Sequence, residues 1–253
     1  MKITFLGTGT SQGIPMIANN HPVCLSEDAK DKRLRSSIMI SWGNYNYVID
    51  CGPDFRQQML REKVQSINGI LFTHEHSDHT AGFDDIRPYC FQIGEMPIYG
   101  TSQVFKSLEK RFEYIFATEN RYPGAPTVVK NSINESPFYL GAVKVTPIKV
   151  MHGKLQVTAY RFGNVAYLTD VKTVEKKEKE KLLDLDVLIV NALRLETHPT
   201  HLNLEEALSL IEELNPKKAY LTHISHKLGF HKRVQETLPN NIFLAFDGLQ
   251  ITL

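Results

Sequence analysis

A chain of 253 residues with 42% apolar and 23% charged residues can bury a core, which excludes a disordered chain. Its 29 Lys and Arg against 28 Asp and Glu leave a formal charge of +1, which argues against a dedicated nucleic-acid or membrane-surface binder. Three separated cysteines (Cys24, Cys51 and Cys90) form no legible disulfide framework, and no run reaches the ~18 apolar residues of a membrane helix, so a soluble, cytoplasmic protein is expected.

Lys2–Leu6 reads as a first strand. The run Gly7-Thr-Gly-Thr-Ser-Gln-Gly13 has GxGxxxG spacing and no helix pattern before Pro15, so it predicts a tight loop and not a dinucleotide fingerprint. Ser37–Ser41 and Tyr45–Ile49 flank Gly43-Asn44, a hairpin signal. A weak helix pattern over Asp54–Glu62 precedes the apolar strand Ile70–Phe72, and another covers Ser102–Arg111. Tyr114 to Pro137 is unpatterned and predicts a long lid or binding loop. Val143–Ile148 follows, then Val157–Phe162 and Val165–Leu168 around a second hairpin signal, Gly163-Asn164. The charge run Glu175–Lys181 predicts a solvated helix face. Beyond the strand Val187–Val190, Leu204, Ala207, Leu208, Ile211 and Leu214 trace an amphipathic helix with Asn203 and Glu206 as its capping pair. Ala219–Leu221, a weak helix over His231–Leu238 and Ile242–Ala245 complete the chain. Strands in both halves with helices between them predict one mixed α/β domain over residues 1–253, two sheets with helices outside.

The chemistry concentrates at residues 74–79, which read His-Glu-His-Ser-Asp-His directly after a strand. His74, His76, Asp78 and His79 are four potential ligands in six residues, and imidazole with carboxylate suits zinc and similar first-row ions. His74 and His76, two apart at a strand end, can point to one side. Asp78 and His79 approach from beyond the bend, so two adjacent ions fit better than one. His152, Asp170 and His223 each stand where an apolar strand stops, a common position for site residues.

These residues resemble the metallo-β-lactamase superfamily. The HxHxDH core is His74 to His79, the later single ligands match His152, Asp170 and His223 in order, and Leu6–Pro15 and Asp50-Cys-Gly52 look like its first strands. The resemblance implies an αββα sandwich with a dinuclear site. It implies that His74, His76 and His152 bind one ion, that Asp78, His79 and His223 bind the other, and that Asp170 bridges them. Such sites activate a bridging water as hydroxide and neutralise charge on the substrate. Asp50 is a candidate to orient a ligand imidazole.

His201, upstream of the last ligand, resembles the extra histidine of the phosphodiesterase branch, where it serves the leaving group; His198 is the neighbouring competitor. Ile17–Cys24 and Asp31–Ser37 resemble the phosphoribosyl cyclic phosphate phosphodiesterases of phosphonate breakdown. That subfamily binds a structural zinc at three cysteines and a histidine. The matching positions here are Asn19, His21, Cys24 and His226, so His21, Cys24 and His226 remain as ligand candidates. The expected catalytic residues are therefore His201 and Asp78. The expected cofactors are two divalent ions, zinc or manganese, with an additional structural zinc on the second set.

The reading that follows is a phosphodiesterase acting on a small cyclic phosphodiester, with His201 helping the departing alkoxide. The alternatives are an RNA-processing nuclease of the same superfamily and a non-enzymatic metal-binding protein. Arg33, Arg35 and Lys32 form only a small basic cluster, which argues against nucleic acid as partner. The subfamily implies a homodimer and no membrane partner. His231 is left to cap the helix beginning there or to reach a substrate phosphate.

Overall fold

Ser37–Trp42 and Tyr45–Ile49 pair antiparallel with Trp42 opposite Tyr45, as the turn signal predicts. Gly43 closes that turn at φ +52°, a left-handed conformation that glycine adopts without a Cβ penalty. The hairpin belongs to a seven-stranded sheet in a computed structural model that describes all 253 residues. Sheet order is Gln250–Thr252, Lys2–Gly7, Ser37–Trp42, Tyr45–Ile49, Gly69–Leu71, Met96–Gly100, Val128–Ser132. The first four strands are mutually antiparallel, and the last three continue parallel to Tyr45–Ile49.

This sheet centres one compact unit: Met1–Gly7, Arg35–Asn134 and Gly248–Leu253. Val48, Ile70 and Phe72 pack with Phe55, Phe83, Phe105 and Leu108 in its core. Phe55 and Phe105 come from the helices Phe55–Arg61 and Ser102–Arg111, whose boundaries lie within a residue of the sequence patterns. The stretch from Tyr114 to Pro137 corrects the reading of an unpatterned loop. The short helix Glu113–Phe116 reaches into it, and its Val128–Ser132 is an edge strand paired with Met96–Gly100. Exposed Lys130 and half-buried Asn131 break the apolar run on that edge and hide the strand signal.

The second unit, Thr8–Leu34 and Glu135–Asp247, is built on an eight-stranded sheet. Its main path is Thr173–Val174, Val143–His152, Leu155–Phe162, Val165–Leu168, Val187–Asn191, Lys218–Thr222, Ile242–Leu244, and Phe138–Leu140 pairs with Val143–His152. The predicted turn at Gly163-Asn164 sets Val165 opposite Phe162. The helix Leu204–Leu214 buries Ala207, Leu210, Ile211 and Leu214 among the strands. Its capping box forms as read: Asn203 Oδ1 accepts the Glu206 N–H at 2.9 Å, and Glu206 Oε2 accepts the Asn203 N–H at 3.0 Å. The Glu175–Lys181 run is only partly a solvated face. Glu178 is 1% exposed, accepts the Lys149 N–H at 2.8 Å and pairs with Lys181.

Both sheets thus pass from antiparallel to parallel pairing. Ligands of α/β sheets gather beyond the carboxyl ends of parallel strands, where Asp50 and His74 follow strands of the first unit and Asp170 and His223 follow strands of the second. No helix of the chain is long and apolar enough to cross a membrane.

Candidate metal centre

In the first unit the chain leaves Tyr45–Ile49 through Asp50 and leaves Gly69–Leu71 toward Thr73 and His74. Asp50 sits at φ +64° and is fully buried. Its Oδ1 accepts the Thr73 N–H at 2.8 Å, and its Oδ2 accepts the Thr73 hydroxyl at 2.8 Å. Oδ2 also accepts from His79 Nδ1 at 2.7 Å. Because the Thr73 hydrogen is spent on Asp50, the 2.9 Å contact between Thr73 Oγ1 and His74 Nδ1 has the imidazole donating. One carboxylate therefore sets both tautomers, His79 directly and His74 through Thr73, and each ring presents Nε2 as the lone-pair atom. Burial pushes the Asp50 carboxyl up, while His79 and Thr73 hold it back down.

The rest of the motif closes around these rings. His74 meets His76 at 4.5 Å and His79 at 4.3 Å between centroids, and Asp78 Oδ2 lies 3.1 Å from His79 Nε2. Close packing of the loop depends on Gly52, where a Cβ would stand 2.0 Å from the Asp78 carbonyl oxygen. Cys51 then takes the His79 carbonyl at 2.9 Å.

In the second unit His152, Asp170 and His201 bring donor atoms within 4.8 Å of one another. His152 Nδ1 donates to the Thr200 carbonyl at 2.8 Å, which makes Nε2 the lone-pair atom of the ring. Asp170 accepts the Thr169 hydroxyl at 2.8 Å and lies 3.2 Å from His223 Nε2. His201 stacks on His223 at 4.9 Å and stands edge-on to His152 at 4.4 Å, with Nδ1 3.7 Å from Asp170. Burial, reinforced by His223, pushes His201 down to about 3, so it rests as a neutral imidazole with one N–H to give. His198 stands 5.0 Å from His201, but its Nδ1 already accepts from Thr200. Imidazoles fixed in one tautomer beside a buried carboxylate are a donor set that fits first-row divalent ions.

The residues considered for a structural zinc are arranged differently. Asn19 Nδ2 donates to His226 Nε2 at 3.3 Å, and the His21 and His226 rings meet edge to face at 4.9 Å. His21 Nδ1 accepts the Val23 N–H at 3.3 Å and caps the short helix Pro22–Leu25. Cys24 is buried with Ile14 and Val23, and His21, Cys24 and His226 do not bring their donor atoms within 4.8 Å of one another. His231 does not cap its helix, where Phe230 holds the cap position. Its Nδ1 accepts from the buried Arg33 at 3.1 Å and its N–H donates to Asp31 at 2.7 Å. The sequence marked neither Thr73 nor Thr200 and showed Arg33 only as part of a small basic cluster, because their contacts arise when separate segments meet.

Comparison with known proteins adds to this geometry. Residues 45–224 match the family model of the beta-lactamase superfamily domain. A crystal structure of a diphosphatase from the PhnP family is 38% identical, covers 100% of this chain and 97% of its own, and superposes with a TM-score of 0.93. The octanoyltransferase of Porphyromonas gingivalis is 37% identical over 253 residues, but the chain spans only 51% of that protein's length. A ribonuclease Z of Listeria monocytogenes is 23% identical, with 90% of this chain and 89% of that protein covered. The α/β class with two mixed sheets and helices outside, expected from the sequence, is the class observed.

Proposed function

The chain belongs to the beta-lactamase superfamily, in its PhnP-like branch of metal-dependent hydrolases, and on that premise we propose that it is a phosphodiesterase acting on a small cyclic phosphodiester of the ribose phosphate kind. In this reading residues 1–253 work as one hydrolase domain. His74, His76, Asp78, His79, His152, Asp170 and His223 are the ligands of two divalent ions, zinc or manganese. A third, structural ion lies outside the proposal, because Asn19 already engages His226.

The observation that carries the reading is His201. The implied ligand set is complete without it, yet it lies buried against three of those ligands. An N–H donor in that position serves an oxygen leaving a phosphorus centre. Ions in dinuclear sites supply an activated water and neutralise charge on phosphoryl oxygens. The chain's own part is to hold that chemistry in register. Asp50 fixes His79 and, through Thr73, His74. The Thr200 carbonyl fixes His152. Neutral His201 keeps its proton and donates a hydrogen bond from its N–H to the departing oxygen, an interaction that strengthens as charge grows on that oxygen.

The ribonuclease Z relative favours a second reading, an RNA-processing nuclease. The near-zero net charge supports the small substrate, since capture of RNA draws on clustered Lys and Arg. A screen of the metal-loaded protein against bis(p-nitrophenyl) phosphate, a ribose cyclic phosphate, a tRNA precursor, a lactam and a glutathione thioester separates these. Turnover of the two small phosphodiesters alone is the expected result. Cleavage of the tRNA precursor alone transfers the reading to the nuclease, and thioester cleavage without phosphodiester turnover rejects both.

A further inference from the structure

His76 differs from the other motif histidines in one respect: its side chain is exposed, whereas His74 and His79 are buried. Beside its edge-on contact with His74, this ring is less enclosed than the other two, so the backbone that sets its Cα–Cβ direction bears on its aim. That backbone is extended, at φ −60° and ψ 150°. The two peptide units flanking the His76 Cα end in the Glu75 and His76 carbonyls. One side chain outside the motif reaches the first directly and the second through Thr80; the His76 carbonyl also accepts the His79 N–H at 3.1 Å.

Arg111 is the last residue of the helix Ser102–Arg111. Its Nη2 donates to the Glu75 carbonyl at 3.2 Å and to Thr80 Oγ1 at 2.7 Å. The Thr80 hydroxyl, with its oxygen engaged by the guanidinium, donates its hydrogen to the His76 carbonyl at 2.7 Å. Arg111 Nε returns to the Ser107 carbonyl at 3.4 Å, which ties the fork to its own helix. Thr80 is fully buried and Arg111 is exposed.

We propose that Arg111 is a positioning residue which, through Thr80 and the Glu75 carbonyl, fixes the backbone on both sides of His76 and so aims this ligand at its metal ion. The inference rests on the metal-centre reading above. A guanidinium suits the task because its planar fork serves two acceptors at a fixed angle, whereas an ammonium is a rotating point charge. The fork matters more than the charge, since a nearby cation by itself opposes binding of a divalent ion.

The test uses the full chain, stripped of metal and titrated with Co²⁺ against a chromophoric chelator, with the cobalt d–d absorption recorded at each step. Arg111→Met and Thr80→Val are expected to weaken one of the two bound ions about 10-fold and to alter its absorption band, in the range typical of outer ligand supports. The melting temperature of the metal-free Arg111→Met protein should stay close to the parent's, because the residue is exposed. Thr80→Ser, which keeps the hydroxyl, should restore affinity and spectrum, while Arg111→Lys should behave like Arg111→Met. Parental affinity and spectrum in Arg111→Met and Thr80→Val overturn the proposal, as does full restoration by Arg111→Lys. A parent protein that binds no cobalt overturns instead the metal-centre reading on which it stands.

Discussion

Asp50 accepts three hydrogen bonds with two oxygens, and that arithmetic predicts a graded response to substitution. In Asp50→Asn the single carbonyl oxygen is best placed at the Oδ2 position, where it keeps the Thr73 hydroxyl and His79 Nδ1. The amide nitrogen then faces the Thr73 N–H in place of Oδ1, and one bond of 2.8 Å is lost together with the negative charge. Asp50→Ala removes all three bonds, and both His79 and the Thr73–His74 relay lose their anchor. Outer partners of metal-bound imidazoles are worth roughly 10- to 100-fold in metal affinity. The amide is expected near the lower end, about 1.4 kcal/mol, and the alanine near the upper, about 2.7 kcal/mol. Thr73→Val, which cuts only the relay to His74, should match the amide. Stability is the wrong readout for this series. Alanine at φ +64° adds a backbone strain of about 1 kcal/mol that asparagine largely avoids, and neither term concerns the ion. The assay is competition for Co²⁺ with a chelator, on protein shown to be folded by circular dichroism. Equal cobalt affinity in the parent, Asp50→Asn and Asp50→Ala would falsify the claim that this carboxylate orients the ligands.

His201→Ala should keep about two divalent ions per chain and lose ~10²–10⁴-fold in kcat, more on a ribose cyclic phosphate than on bis(p-nitrophenyl) phosphate, whose leaving group needs little help. Loss of one ion in elemental analysis would make His201 a ligand, and a normal rate in His201→Ala beside a defect in His198→Ala would move the role to His198. Acid stability provides a third expectation. Burial, with the Arg33 charge second, lowers His231 from an ordinary value of 6.5 to about 4. The unfolded chain then binds the proton more readily than the folded one, so stability falls as pH drops through 6.5 and levels off below about 4. Between pH 7 and pH 5 this amounts to about 2 kcal/mol in urea unfolding of the metal-free protein, and His231→Asn should remove that part of the slope. An unchanged slope in the variant refutes the assignment.

What the sequence disclosed was local. The two Gly-Asn hairpins and the Asn203–Glu206 capping box each sit within one short window and formed as read, and the six-residue His74–His79 motif is just as compact in the sequence. What stayed hidden depends on segments far apart in the chain. Met96–Gly100 is a strand despite Pro97, because parallel neighbours on both sides supply its pairing. Glu178 looked like any member of a charge run until the backbone of Lys149 approached it. Thr73, Thr80, Thr200 and Arg111 are ordinary residue types whose importance lies in which carbonyl or imidazole they meet. His201, in contrast, stood out through its resemblance to the extra histidine of the phosphodiesterase branch, and the structure buries it beside His152 and His223.

The left-handed backbone at Asp50, Asp170 and His223 has a consequence for how such a protein ages in evolution. Each of these residues lies just past the end of a strand and occupies a conformation that glycine or asparagine adopts more comfortably. On the proposed function, the chemistry asked of each side chain, holding an ion at Asp170 and His223 and orienting imidazoles at Asp50, overrides backbone comfort at all three. Were selection to lapse, drift at these positions would not be random: glycine and asparagine would be retained, and valine or isoleucine purged, because the turn still has to close. A descendant that had shed its metal would therefore outlast its ancestor on heating, by up to about 1 kcal/mol for each such relaxed turn. Thermal robustness together with glycine at these three turns would be the signature of a retired hydrolase.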